Sequence, residues 1–226
     1  MIKLPIILYA YSIIIACSNR SSTSIQKQNT IQVITSRDTI INFENSKAGE
    51  VPQGFTMTST GKPQTLDWKI TANDEKIKSA VQMARNNGDY YNLLVLDNMF
   101  YQDFSMTVSI NAIEGKEDQG GGLVWRYVDN NNYYIARFNP LEKNFRFYKV
   151  VNGNRKQLQS VACDVNQGEW FDMKIKMSGS QIACYINNKK LIETTDDTFK
   201  DAGLTGFWTK ADAVTSFDNF TITVNN

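Results

Sequence analysis

Histidine is absent from the 226 residues. Without it the chain has neither a Ser-His-Asp nor a Cys-His nucleophile pair, and no His-ligated zinc site. Charge of one sign is missing too. With 24 basic and 23 acidic side chains the formal net charge is +1, so nothing electrostatic points to nucleic acid or to an acidic membrane surface. There is no internal repeat, which argues against a propeller, and no convincing helical periodicity. What is present is ordinary for a globular protein: 42% hydrophobic, 12% aromatic and 21% charged residues. The length suits one large all-β domain.

The start of the chain is a separate object. Met1-Ile2-Lys3 supplies a short positive lead, and Leu4 to Ala16 is apolar apart from Ser12, Tyr9 and Tyr11. The run is too short to span a hydrocarbon layer of ~30 Å as a helix and has the shape of a signal-peptide core. It ends in Ile14-Ile15-Ala16-Cys17, which resembles the bacterial lipobox. The resemblance implies cleavage before Cys17 and a membrane anchor of more than one acyl chain on Cys17, since stable anchoring needs at least two signals. A plain signal peptide followed by a chance cysteine is the alternative. Residues 1–16 are therefore read as a lipoprotein signal peptide and 17–30 as the lipidated cysteine and a tether. Ser18 to Thr30 carry one aliphatic and no aromatic side chain, too little apolar surface to fold. In lipoproteins a residue other than Asp after the cysteine goes with export to the outer membrane. Ser18 thus implies a cell-envelope location, on either side of that membrane.

From about residue 31 the pattern has period two. Phe104, Met106, Val108 and Ile110 alternate with Ser105, Thr107 and Ser109, and Ile77, Ser79, Val81 and Met83 with more polar neighbours. Phe171, Met173, Ile175 and Met177 repeat the pattern, as do Ile182, Cys184 and Ile186. Each run predicts a strand with one buried face. Turn signals recur between them at Asn87-Gly88-Asp89, Asn152-Gly153, Ser178-Gly179-Ser180 and Asn187-Asn188, and Asn-Gly between alternating runs is the strongest short hairpin signal. About a dozen short strands in one domain, residues 31–226, predict a sandwich or barrel.

Four blocks sharpen this. Gly120-Gly121-Gly122-Leu123-Val124-Trp125-Arg126-Tyr127-Val128-Asp129 leads into Asn132-Tyr133-Tyr134-Ile135-Ala136-Arg137. Phe145 to Gly153 follows, then Gly168-Glu169-Trp170 with Tyr185-Ile186-Asn187 and Thr195 to Phe199, and finally Gly206 to Asp212 with Phe217-Asp218-Asn219-Phe220. In this order and spacing, over residues 40 to 224, they resemble the concanavalin-like lectin/glucanase superfamily. Within it they are similar to bacterial family-16-glycoside-hydrolase-like and 3-keto-disaccharide-hydrolase-like domains, with laminin-G-like modules further off. The resemblance implies a two-sheet antiparallel jelly-roll sandwich. It implies much less about activity, because one sandwich hosts many functions.

Retaining glucanases of this fold carry acidic residues at i, i+2 and i+4 of one strand, so that two carboxyl groups flank the scissile bond about 5–5.5 Å apart. No such triplet occurs here. The nearest stretch, Glu114-Gly115-Lys116-Glu117-Asp118, has Lys in the middle and reads as a solvated polar loop. A binding role is better supported, because sugar rings dock on aromatic faces and planar Arg groups hydrogen-bond hydroxyls. Arg126 and Arg137 lie mid-strand, where an unpaired charge in a core is expensive, so they are expected to reach solvent or a carboxylate on an open sheet. By parity Tyr133 shares a face with Arg137, and Trp208 with Lys210. The expected groove-lining set is Arg126, Tyr133, Arg137, Trp208 and Lys210, with Trp125 added; core tryptophans and cross-strand arginine pairs are the alternative.

The expected partner is a poly- or oligosaccharide, with a glycosidase-type hydrolase of a keto-disaccharide or glycan, and a laminin-G-like protein-binding module, as alternatives. No cofactor is required. Sandwiches of the resembled kind often hold a structural calcium between the first and last strands, which places Glu44 and Asp218 as ligands; two carboxylates are fewer than calcium wants, and Asp218 capping a turn or pairing with a lysine is the alternative. Cys163 and Cys184 lie in strand-like segments of an exported chain, either as buried thiols or as a disulfide.

Overall fold

The computed structural model describes residues 33–34, 38–62 and 64–224; the lipobox-like segment, Cys17 and the tether lie outside the described residues. Among the described residues there is no helix, and turns and loops join fifteen strands. One sheet has the order Lys189–Thr195 (β13), Gln181–Ile186 (β12), Trp170–Ser178 (β11), Phe104–Glu114 (β6), Val214–Val224 (β15), Lys78–Gln82 (β4) and Trp68–Ala72 (β3), with Thr39–Ile41 (β1) also paired to β15. The other has the order Asn154–Ala162 (β10), Asn144–Val151 (β9), Asn132–Asn139 (β8), Gly121–Asp129 (β7), Leu204–Lys210 (β14), Tyr91–Leu96 (β5) and Phe55–Thr60 (β2). All strand pairs are antiparallel, so the chain is a two-sheet jelly-roll sandwich.

The alternating residues of β6, β11 and β12 face the space between the sheets. Phe104, Met106, Val108, Ile110, Met173, Ile175 and Cys184 are all essentially inaccessible there. Leu123, Trp125, Tyr134, Phe147 and Phe207 meet them from the opposite sheet. Ring contacts order this core. Phe207 lies parallel to Phe217 with centroids 4.7 Å apart, and Trp125 stacks on Phe147 at 5.5 Å, separations at which aromatic pairs gain about 0.5–1.5 kcal/mol beyond area burial.

One alternation is inverted. In β4, Ala80 faces the core opposite Ile70, while Ile77 and Met83 are exposed. Trp68 and Phe217 fill the interior beside this strand, leaving room there only for a small side chain and an amide whose hydrogens are bonded to the backbone. Gln82 is that amide, fully buried, and its Nε2 donates to the carbonyls of Ala84 and Ala213 at 3.0 Å each. A glutamine that can spend its hydrogens on the backbone can take a core position.

Candidate functional site

Two members of the expected set lie elsewhere. Trp125 points between the sheets, stacked on Phe147, and offers no ring to a groove. Arg126 does not reach solvent either. It is 1% exposed, and it sits in the left-handed region (φ +48) within a register irregularity of β7. Its guanidinium donates to the carbonyls of Asp201 and Gln102 at 2.7 Å each and to that of Lys200. Four NH-to-carbonyl bonds, counting a longer one to Phe199, make Arg126 the clamp of the loop before β14. The same irregularity reverses parity, so Tyr127 stacks on Tyr133 at 5.9 Å and not beside Trp125.

The outer face of the seven-stranded sheet gathers the rest. In register across it run Thr58, Leu93, Trp208, Gly122, Arg137, Arg146 and Ser160. The neighbouring row is Val95, Gly206, Val124, Ile135, Tyr148 and Gln157. The apolar members form a second cluster with Tyr91, Tyr133 and Val150. Tyr133 and Trp208 are on the expected face but wholly buried in it. The turn after β7 reaches across this face to β2: Thr60, in the row of Tyr91 and Lys210, bonds the Tyr133 hydroxyl at 2.6 Å and the Asn130 carbonyl, and Asn130 Nδ2 donates to Ser59 O at 3.0 Å. Gly122 permits the tight curvature. A Cβ there would lie 1.8 Å from the Ala136 carbonyl oxygen, so only glycine lets β7 and β8 approach this closely.

Around Arg137 and Lys210 stands a shell of charge. Arg137 Nη2 pairs with Glu142 at 3.1 Å and with Asp118 at 3.7 Å. Arg146 reaches the same Glu142 oxygen at 2.8 Å. Lys210 Nζ lies 3.3 Å from Asp89 and 3.9 Å from Asp118. The stretch read as a solvated loop therefore holds a buried acid: Asp118 is 2% exposed. Its position is set by Asp212, whose carboxylate accepts the backbone N–H groups of Lys116, Glu117 and Asp118 at 2.8 to 3.0 Å. Burial pushes the Asp118 carboxyl up, against the pull of Arg137 and Lys210. Burial would also raise Glu142, but bonds from Asn144 and the two arginines hold it below the usual range. Beside this shell the Arg155 guanidinium lies over three rings, Tyr148 at 4.7 Å, Tyr91 at 5.0 Å and Trp208 at 5.8 Å. Nε and Nη1 of Arg137 and Nη1 of Arg155 are buried with no hydrogen-bond partner among the described residues.

The sequence profile of the galactocerebrosidase C-terminal lectin domain matches residues 89–225. The chain belongs to this lectin-domain family. Every strand of the charged shell falls inside the match. Among curated proteins, the levanase of Bacillus subtilis (strain 168) is 23% identical over 143 residues, 62% of this chain but 20% of the levanase, so the lectin domain spans about a fifth of that relative. Solved structures that share the fold include the following two. The carbohydrate-binding module CBM66 from Bacillus subtilis superposes with a TM-score of 0.62 at 18% identity, over 75% of this chain and 96% of the module. The β-glucanase of Bacillus licheniformis gives 0.56 at 8% identity, over 85% of this chain and all of that one.

The calcium expectation meets an obstacle in the lectin domain. Lys78 Nζ donates to the carbonyls of Glu44 and Ser46 at 2.8 Å each, and its backbone N–H donates to Glu44 Oε1 at 3.2 Å. An ammonium already engages the oxygens beside Glu44. Asp218 accepts the Asn219 N–H, and burial, with the charge of Glu44, raises its carboxyl. Among the described residues no three His, Cys, Asp or Glu side chains converge. This donor set falls short of the six to eight oxygens calcium takes. Cys163 and Cys184 are free thiols, and burial pushes both up.

Sequence reasoning missed Tyr91, Asp118, Arg146, Tyr148 and Arg155. Parity could have found two of these. Phe145 and Phe147 are core residues, which turns Arg146 and Tyr148 to the face that Arg137 occupies. Asp118 and Arg155 carried no local signal, since one depends on a loop tied to Asp212 and the other on an edge strand that curls back over Tyr91.

Proposed function

We propose that the lectin domain binds a saccharide at the charged shell on the outer face of the seven-stranded sheet. The observation that carries this is the set of buried guanidinium N–H groups on Arg137 and Arg155 with no acceptor among the described residues, standing beside carboxylates and aromatic rings. A buried donor left unpaired costs about 1–3 kcal/mol, and sugar hydroxyl oxygens are acceptors of the right size. Arg155, held over the buried rings of Tyr91, Tyr148 and Trp208, supplies a planar guanidinium, while Glu142, with the less exposed Arg146 and Lys210, supplies a polar rim. Kinship with a lectin-domain family and likeness to a carbohydrate-binding module support the same reading. Levan is the first probe, because a levanase is among the relatives. Titration calorimetry with levan and a panel of plant and microbial glycans tests it; Arg137→Ala should abolish binding, and a panel without a single binder would overturn the proposal.

A second reading, a glycosidase of a disaccharide or glycan, is favoured by one observation: Asp118 is raised and Glu142 lowered while both contact Arg137, the pattern of an acid and base pair. Release of reducing sugar, lost in both Asp118→Asn and Glu142→Gln, would establish it over simple binding. For location, we read Cys17 as the lipid attachment that holds the domain at the outer membrane. Cys17→Ala should leave the protein in the soluble fraction or unprocessed; a variant still cleaved and membrane-bound would refute the anchor.

A further inference from the structure

A groove of about 620 Å³ crosses the outer face of the eight-stranded sheet, on the side of the sandwich away from the charged shell. Trp170 forms one wall. It pairs in register with Asn111, which pairs with Ser216, so the floor continues directly from the ring. Ser109 and Asp218 form the next row, and Ile77 stands on the far side.

Three features set this groove apart from an ordinary solvated sheet face. Trp170 is 49% exposed, whereas Trp68, Trp125 and Trp208 are buried. A large exposed indole on a strand is unusual, and it is the best stacking surface for the apolar face of a sugar ring. The Asn111 amide donates to the Gly168 carbonyl at 3.2 Å, but its Oδ1 is buried without a partner among the described residues. Asp218 is itself more than nine-tenths buried and forms no ion pair among the described residues. The floor is thus rich in acceptors and small hydroxyls.

Charge selects the occupant. No Lys or Arg lines the groove, and its one ionisable group is the Asp218 carboxylate. An anionic glycan would meet like charge and no counter-ion, whereas the hydroxyl hydrogens of an uncharged sugar match Asn111 Oδ1 and Asp218.

We infer that this groove is a second saccharide site, specific for neutral oligosaccharides, with Trp170 as the stacking platform and Asn111 and Asp218 as acceptors. It is separate from the site under Proposed function, and neither requires the other.

The single exposed indole provides the readout, because acrylamide quenches accessible tryptophans selectively. Cellohexaose, xylohexaose, mannohexaose and levan oligosaccharides are titrated at millimolar concentrations, with oligogalacturonate as the anionic control. At least one neutral probe should protect Trp170 from quenching, and the control should not. Asn111→Ala, which keeps the reporter, should raise the midpoint at least about tenfold, about 1.4 kcal/mol. In Trp170→Ala both the quenchable signal and the weaker of two calorimetric binding events should vanish. Arg155→Ala should leave protection of Trp170 unchanged. The assignment fails if no neutral probe protects Trp170, if Asn111→Ala leaves the midpoint unchanged, or if Arg155→Ala abolishes protection. In each case binding at the charged shell can still be present and is scored separately by calorimetry.

Discussion

The two sheets turn opposite kinds of surface away from their shared core. On the eight-stranded sheet the outward positions of β6 and β11 are Ser105, Thr107, Ser109, Lys174 and Lys176, all at least partly solvated. On the seven-stranded sheet they are Leu93, Val95, Val124, Ile135 and Trp208, all buried. A strand with one wet face alternates, while a strand covered on both faces reads as a nearly continuous apolar run. Tyr91–Leu96 is such a run. The consequence is electrostatic. Lys174 and Lys176 stand in water, where charges interact weakly, whereas Arg137, Asp118 and Arg155 border a second apolar cluster, where the effective dielectric is low and each hydrogen bond counts for more.

The sharpest break of this comparison uses neighbours in β14. Phe207 and Trp208 are both inaccessible but face opposite clusters. Phe207→Ala removes ring contacts to Phe55, Phe217 and Phe220 and should lower the unfolding free energy by about 3–5 kcal/mol in urea titration. Saccharide affinity should survive wherever the variant remains folded.

Next come two arginines with opposite roles, Arg126 at the loop before β14 and Arg155 over the aromatic rings. Arg126→Ala strips the donor from the carbonyls of Gln102, Lys200 and Asp201 and should destabilise the fold by about 3 kcal/mol, with unchanged affinity for any glycan bound at the charged shell. Arg155→Ala should do the reverse. Melting temperature should move little, and affinity should fall by about 1–2 kcal/mol as the cation stacked on Tyr91, Tyr148 and Trp208 is lost. An Arg126 variant that binds poorly yet melts normally would return that residue to the site.

The smallest effect concerns the Asp196 carboxylate, which bonds Tyr134 and Lys149. Burial would raise it, but bonds from Lys149, Thr198 and Tyr134 bring it down to about 2. Tyr134, in turn, is pushed up to about 12, by burial first. A carboxyl held below its unfolded value of 3.8 adds stability that is complete above that value and lost as pH falls toward about 2. The stability gap between wild type and Asp196→Asn should therefore be about 1–2 kcal/mol near neutrality and close over the interval from about pH 4 to pH 2. A gap independent of pH would mean that the ion pair with Lys149 contributes nothing.

Much of this architecture was legible from residue order. The alternation in β6, β11 and β12 marked both the strands and their inward faces, and Asn152-Gly153 marked the hairpin joining β9 to β10. Where the reading failed, something nonlocal had intervened. The irregularity in β7 flipped Tyr127, a backbone-bonded amide let Gln82 take the core side of β4, and a carboxylate almost a hundred residues away organised the backbone that carries Asp118.

Residue order by itself determined that this protein is an all-β sandwich or barrel and which side of most strands is buried. The reason is that burial of one face imposes period two on the sequence, and that signal is carried by adjacent residues. Only the tertiary structure decided which charged side chains meet. Arg126 and Arg137 are chemically identical and similarly placed along their strands, yet one found backbone carbonyls from the loop before β14 and the other found Glu142 and Asp118. The partner available to a buried guanidinium is set by which loops the fold brings over it, and no local pattern encodes that.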